Sequence, residues 1–203
     1  MSLGNGAVAG DTKYRMIHHT ALLLAKKGLQ GASLSEVLQA SGAPRGSLYH
    51  YFPGGKDELV LAAMAAASDT VYDSLSSLNG RPAVEIVRAF TGFWRSILER
   101  GRFQIGCALV AVAVTADAPP LRQQAGQISR TWRSRMGALL VEGGVPAERA
   151  SALSALIINA CEGAVATARA EQSFEAFDLV ATYLEHAVDD AVMTGAQGGH
   201  RPA

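Results

Sequence analysis

The sequence predicts an all-α fold of nine helices, and three observations lead to that prediction. Apolar residues recur at helical spacing along most of the 203-residue chain. Proline, glycine and short polar segments interrupt this pattern at the points where helices begin and end. Apolar residues make up 49% of the chain and charged residues 18%, which is enough apolar material for a packed core. A disordered or collagen-like chain is therefore excluded.

The helices follow in order from their capping signals. Thr12 caps the first helix and Gly28 ends it, and Ser33 with Glu36 forms a capping box at the start of the second. Proline opens most of the later helices, because its fixed backbone angle fits the first turn. The nine predicted spans are about 12–27, 33–41, 44–51, 56–78, 82–101, 107–115, 119–142, 146–171 and 175–194.

One of these segments has an alternative. Val110, Val112 and Val114 alternate with alanines, which is also typical of a strand. A single isolated strand would have no partner, so we predict a helix there.

Charge is distributed unevenly along the chain. The 18 basic and 18 acidic residues cancel, which excludes a uniformly basic nucleic-acid-binding protein. Residues 1–56, however, hold six basic side chains against two acidic ones, and the remainder holds twelve against sixteen. This pattern is typical of a DNA-binding head on a body that does not bind DNA. The alternative is that an imbalance of this size arises by chance.

Two cysteines are too few for a disulfide scaffold, so a reducing cytoplasm is the expected location. Met1–Gly10 carries no basic residue and no long apolar stretch, and is not expected to be a secretory signal. The longest apolar run, Cys107–Val114, falls far short of the ~20 residues that a membrane span needs. We therefore expect a cytoplasmic protein with no membrane contact.

The segment from Ser33 to Phe52 has the pattern of a helix-turn-helix motif. A capped helix is followed by a tight turn at residues 41–43 and by a second short helix. The second helix of such a motif lies in the major groove and presents its first residues to the base edges. Those residues are Arg45, Gly46 and Ser47, of which Arg45 can pair with guanine and Gly46 permits a close approach of the backbone.

Further residues are expected to hold the DNA backbone. Tyr49, His50 and Tyr51 follow on the same helix and are suitable phosphate partners. Lys56 begins the next helix, where its ammonium and the positive helix end can both meet a phosphate. The predicted DNA-binding residues are Ser33, Arg45, Gly46, Ser47, Tyr49, His50, Tyr51 and Lys56.

This stretch resembles the DNA-binding head of the TetR (tetracycline-repressor) family. The family pattern of Gly, Ser or Thr, Leu-Tyr-His-Tyr-Phe and then Lys-Asp-Glu-Leu is matched by residues 46–52 and 56–59. Arg45 stands where Lys is common, Pro44 stands where Ser is common, and Gly54-Gly55 lengthens the turn. The resemblance is specific over about residues 12–59, and Gly106–Leu109 followed by Pro119-Pro120 is similar to the lincomycin and multidrug-efflux repressors.

The resemblance implies a TetR-like architecture and a ligand-responsive repressor. It assigns residues 11–56 to a helix-turn-helix DNA-binding domain and residues 57–195 to a ligand-binding and dimerisation domain. The last two helices are expected to form a homodimer, because the first is rich in small residues and the second is amphipathic. A two-fold dimer fits a palindromic DNA operator.

The body is expected to hold a small hydrophobic or aromatic effector, as it does in the family. The predicted ligand-binding residues are Phe93, Trp94, Ile97, Cys107, Val110, Trp132, Met136, Asn159 and Glu162. Asn159 and Glu162 would be the polar points of the pocket, or else would face solvent. For the two tryptophans the core role is the favoured interpretation, and it does not exclude a place in the pocket wall. An ionised Glu162 would favour a cationic or neutral aromatic effector.

Two other classes of protein are alternatives to a ligand-responsive repressor. An enzyme lacks support, since there is no nucleophile motif or acid–base pair, and Cys107 and Cys161 fit small buried roles. His18 and His19 are adjacent and do not form a metal pair on one helix face, so no metal or cofactor is expected. A helical dimeric DNA-binding protein without a small-molecule effector is the alternative function.

Overall fold

The computed structural model describes residues 5–198, and the side chains of residues 11–195. Within that range every regular element is an α-helix, which confirms the predicted all-α fold. The nine helices of this range are α1 Asn5–Gly31, α2 Leu34–Ser41, α3 Arg45–Tyr51, α4 Gly55–Ser76, α5 Ala83–Arg100, α6 Ala108–Thr115, α7 Pro119–Glu142, α8 Ala147–Glu171 and α9 Glu175–Gly198.

Most predicted helix ends lie within a few residues of those observed, and α1 is the exception. It begins at Asn5 rather than at Thr12, so Thr12 is not its cap. The predicted break at Gly28 is present as a kink, with φ 73° and ψ −176°, although helical hydrogen bonding resumes to Gly31. Such a backbone angle suits glycine, which has no Cβ to collide with the carbonyl. The segment at residues 108–115 is the helix α6, as predicted.

The chain divides into two compact units. The first comprises Met1–Asp69 and Cys107–Ile128, and the second comprises Thr70–Gly106 and Ser129–Ala203. Helices α4 and α7 each contribute to both units. The first unit therefore groups α6 with the N-terminal helices, and the boundary expected between residues 56 and 57 stays a prediction.

In the first unit, α1 packs against both α2 and α6. A small apolar core holds the N-terminal helices together, because each of them turns one apolar face inward. Its buried members are Met16, Val37, Ala43, Leu48, Phe52 and Leu59. This core fixes the position of α3, whose Leu48 is buried while its other face is left to solvent.

In the second unit, α5 packs against α8 and α9, and α8 packs against α9. The Ala83 N–H at the start of α5 donates to the Gly143 carbonyl at 3.0 Å. A Cβ at Gly143 would stand 2.6 Å from the Ala83 nitrogen, so this close approach requires glycine. Helix α8 is long and apolar enough to cross a membrane by length and composition alone, but nine of its residues are buried inside the protein, as in an ordinary core helix.

Candidate nucleic-acid interface

The helix-turn-helix begins at a complete capping box on α2. The Glu36 N–H donates to Ser33 Oγ at 3.2 Å, and the Ser33 N–H donates to the Glu36 carboxylate at 3.4 Å. Lys27 Nζ approaches the same carboxylate at 2.6 Å from the end of α1. These contacts lower the pKa of Glu36, the Lys27 hydrogen bond contributing most. Ser33 therefore has a structural role in fixing α2, and its predicted contact with DNA stays a prediction.

The turn between α2 and α3 is set by Gly42, whose φ of 65° lies in the left-handed region. Ser41 Oγ accepts a hydrogen bond from the Ala43 N–H at 3.3 Å, which fixes the next peptide. Pro44 then stands at the N-cap of α3 in an extended conformation. Local chemistry therefore dictates where α3 begins and in which direction it leaves the turn.

The exposed face of α3 carries most of the residues predicted to contact DNA. Arg45, Gly46, Tyr49 and His50 are exposed, and the Tyr49 side chain retains 59% of its accessible surface. A Cβ at Gly46 would meet nothing within 4 Å, so the fold itself places no demand for glycine there. A glycine that the packing of the protein itself does not require is consistent with a helix that must approach another surface closely.

Two of the α3 residues predicted to contact DNA are less exposed than the others. Ser47 is half-buried, and its N–H donates to the Pro44 carbonyl at 2.9 Å. Tyr51 packs against the small apolar core, and its ring meets that of His50 edge-on with centroids 4.9 Å apart. Tyr51 thus supports the helix, and its hydroxyl is the only part suited to a phosphate.

Lys56 lies near the start of α4 and is already engaged within the protein. Its Nζ donates to the Leu29 carbonyl at 2.9 Å, which joins α4 to the end of α1. An ammonium has three N–H donors, so this bond leaves two of them for a phosphate.

The structure also places beside the C-terminal end of α3 a basic residue that the sequence does not single out. Lys13 Nζ lies 5.6 Å from the centre of the Phe52 ring, at the C-terminal end of α3. Lys13 is exposed and lies 39 positions from Phe52 in the sequence. Its only sequence signal is the basic excess of residues 1–56, which does not distinguish it from the other lysines of that segment.

The predicted effector-binding residues are divided between the two units. Cys107 and Val110 belong to the first unit, and the remaining seven belong to the second. Trp94, Trp132 and Met136 are buried, whereas Phe93 and Ile97 are half-buried. The predicted set stays a prediction.

The two polar residues of the predicted pocket face different surroundings. Asn159 is exposed, on the side of α8 that also carries Leu156 and Gly163, so the structure does not bring it together with the buried tryptophans. Glu162 is half-buried and both of its carboxylate oxygens are shielded from solvent. Burial raises the pKa of the neighbouring Cys161 thiol, and the negative charge of Glu162 raises it further. In the part of the chain that the structure describes, no group of three His, Cys, Asp or Glu side chains could hold a metal ion.

Comparison with known proteins agrees with the resemblance seen in the sequence. Residues 17–63 match the family model described as bacterial regulatory proteins, tetR family. Residues 83–183 match the model described as transcriptional regulator LmrA/YxaF-like, C-terminal domain. The predicted resemblance to the TetR family, including its lincomycin-repressor subgroup, is thereby confirmed.

Curated relatives and solved structures give the same result. An HTH-type transcriptional regulator of Mycobacterium tuberculosis (strain H37Rv) is 34% identical over 174 residues, covering 82% of this chain and 88% of the relative. The regulator LmrA of Bacillus subtilis is 26% identical over 77% of this chain and 85% of its own length. A TetR transcriptional regulator from Chloroflexus aurantiacus superposes with a TM-score of 0.76 at 27% identity, covering 90% of this chain and 96% of the other.

Proposed function

This chain belongs to the TetR family of bacterial transcriptional regulators, and we propose that it is a cytoplasmic repressor that binds a palindromic DNA operator as a homodimer and is released by a small hydrophobic effector. Residues 11–56 form its DNA-binding domain, and residues 57–195 carry the effector and dimer functions. The observation that carries the proposal is the exposed face of α3, where Arg45, Gly46, Tyr49 and His50 stand clear of the protein above the buried Leu48.

Contact with DNA divides into two roles on this face. Arg45, Gly46 and Ser47 at the start of α3 meet base edges in the major groove. Tyr49, His50, Tyr51 and Lys56 hold the phosphates and set the orientation of the helix, with Ser33 at the start of α2. Lys13 adds a phosphate contact at the C-terminal end of α3, because its ammonium is exposed beside Phe52.

The homodimer is supported by apolar side chains that α8 and α9 leave exposed. On α9, Leu179 retains 68% of its accessible surface and Tyr183 retains 67%. On α8, Leu156, Asn159 and Gly163 share an exposed face. Exposed large apolar residues on neighbouring helices are typical of an interface, and the small residues of α8 permit close approach. Asn159 is assigned to this face.

The effector pocket is proposed around Trp94, Trp132 and Met136 of the second unit, with Glu162 as its acidic group. The indole Nε1 of Trp94 is buried, and it has no hydrogen-bond partner among the residues that the structure describes. A buried N–H without an acceptor is costly, so a molecule that offers one would be favoured here. The burial of both tryptophans is also compatible with a plain core, as expected for the alternative, a dimeric DNA-binding protein without an effector.

One set of experiments separates these possibilities. In vitro selection with the purified chain should recover a palindromic duplex, and sedimentation should give a dimer at micromolar concentration. Calorimetry with 4-methoxybenzylammonium, a cationic aromatic probe whose ether oxygen can accept from the Trp94 N–H, should show binding that weakens in Glu162→Gln but not in the exposed control Glu171→Gln. Release of the duplex by the probe supports the repressor proposal. Failure of the probe to bind, with DNA binding intact, supports the alternative.

A further inference from the structure

A groove of about 570 Å³ runs between α7 and α8 in the second unit. The helices approach closely at Gly137, where an added Cβ would lie 3.6 Å from Ser154 Oγ and 3.9 Å from the Ala150 carbonyl. Because the residues that line the groove at this point are small, no large side chain fills the groove. The volume lies within the range of sites that bind small organic molecules.

Two arginines line one end of the groove. Arg130 and Arg133 are three residues apart on α7, so both guanidinium groups project from the same side of the helix. Neither guanidinium group has a hydrogen bond or ion pair with any residue whose side chain the structure describes. Arg88 and Arg95 of the same unit, by contrast, each meet a carboxylate, on Glu185 and Asp178.

The remainder of the lining is uncharged. None of the lining residues within the described chain is acidic, and the hydroxyl-bearing residues of the lining are Ser134, Ser151 and Ser154. Val141, Ala138 and Ala147 make the far end apolar. Arg130 and Val141 are eleven residues apart on α7, so the groove changes from a cationic end to an apolar end over roughly 16 Å, at ~1.5 Å per helical residue.

We propose that this groove is a binding site for an amphipathic organic anion, separate from the effector pocket. A carboxylate would pair with Arg130 and Arg133, since guanidinium groups bind carboxylates through paired, charge-assisted hydrogen bonds. The hydrocarbon body would lie over Ala138 and Val141, where apolar surface leaves water. Two like charges placed three residues apart on a helix repel each other, and a bound anion relieves that repulsion.

The test uses matched probes and matched variants. Calorimetry should show that 1-naphthoate binds and that 1-naphthylmethanol, which has the same ring without the charge, binds at least about tenfold more weakly. The double variant Arg130→Gln/Arg133→Gln should lose about tenfold or more in naphthoate affinity. Arg149→Gln, another arginine of the same unit outside the groove lining, is the control and should not change it. The Gly137 amide should shift on naphthoate addition in the NMR spectrum.

Three results would overturn the proposal. The first is unchanged naphthoate binding in the double variant, and the second is equal binding of the neutral alcohol. The third is a change of the double variant from dimer to monomer in sedimentation, which would assign the arginines to a second copy of the chain. Ala138→Phe, which fills the groove without altering charge, should also abolish binding. None of these measurements uses DNA, so the result is independent of the repressor proposal.

Discussion

Lys56 Nζ is hydrogen-bonded to the carbonyl oxygen of Leu29 at 2.9 Å, and this bond fastens the start of α4 to the end of α1. The acceptor lies directly after the kink at Gly28, where the backbone leaves helical geometry. Carbonyl groups near a helix end lack intrahelical partners, so the ammonium satisfies an acceptor that would otherwise need water. The same side chain is proposed to hold a phosphate, and it thus links the fold of the head to DNA binding.

Lys56→Met should therefore have two effects. Loss of the hydrogen bond to Leu29 should lower the free energy of unfolding by about 1 kcal/mol. Loss of the cation should weaken binding to all duplexes and reduce the slope of affinity against salt concentration. Denaturant unfolding and fluorescence anisotropy at several salt concentrations measure the two effects. Lys27→Met, which removes an exposed ion pair, should cost much less stability, and equal costs would contradict the structural role of Lys56.

Gly46→Ala should improve the helix and impair DNA binding. Nothing lies within 4 Å of a Cβ at Gly46 or at the control position Gly92 on α5. Both substitutions should leave the fold intact and raise its stability by up to about 1 kcal/mol through helix propensity. Only Gly46→Ala should lower DNA affinity, because the new methyl group stands between α3 and the base edges. Equal DNA affinities in the two variants would show that α3 does not approach DNA at Gly46.

Acid should remove the contribution of Glu36 to the stability of the head. Contacts with Lys27 and Ser33 lower the folded-state pKa of Glu36 below its ordinary value of 4.5. The stabilisation is therefore present above about pH 4.5 and is lost as the pH falls through the lower, folded-state pKa. The stability difference between wild type and Glu36→Gln should shrink over that window. A stability difference for Glu36→Gln that stays constant across this window would contradict this prediction.

Cys161 should be inert towards thiol reagents in the folded protein. It is 1% exposed, and burial together with the nearby Glu162 raises its pKa, so little reactive thiolate forms. In Cys107→Ser it is the only remaining thiol of the two cysteines. Ellman's reagent at mildly alkaline pH should label this variant only after unfolding in guanidinium chloride. Rapid labelling of the folded variant would mean that Cys161 is accessible.

The helix-turn-helix could be predicted from the sequence because its determinants are local. The capping box of Ser33 and Glu36 spans four residues, and Gly42 sets the turn by its own backbone angle. Each signal acts within one or two helical turns, so a single sequence contains it in full. The exposed face of α3 then follows from the burial of Leu48.

Other features depend on packing between distant segments and could not be predicted from local sequence patterns. The packing of α6 against α1 joins parts of the chain about 90 residues apart, and no local pattern indicates it. Asn159 lies only three residues from Glu162, on the same helix. Helical periodicity alone does not show that Asn159 is exposed whereas Glu162 is half-buried. Lys13 reaches α3 only because α1 crosses the small apolar core.

Helix α3 is proposed to read a DNA sequence through Arg45, and DNA-binding titrations of an Arg45 variant examine this role without an intermediate. Anisotropy titrations of wild type, Arg45→Ala and the body control Arg100→Ala should be run against the selected palindrome and against duplexes changed at single base pairs. We expect Arg45→Ala to lose both affinity and roughly 1–3 kcal/mol of discrimination at one base pair of each half-site, while Arg100→Ala should match wild type. Unchanged affinity and unchanged discrimination in Arg45→Ala would contradict the assignment of α3 as the recognition helix.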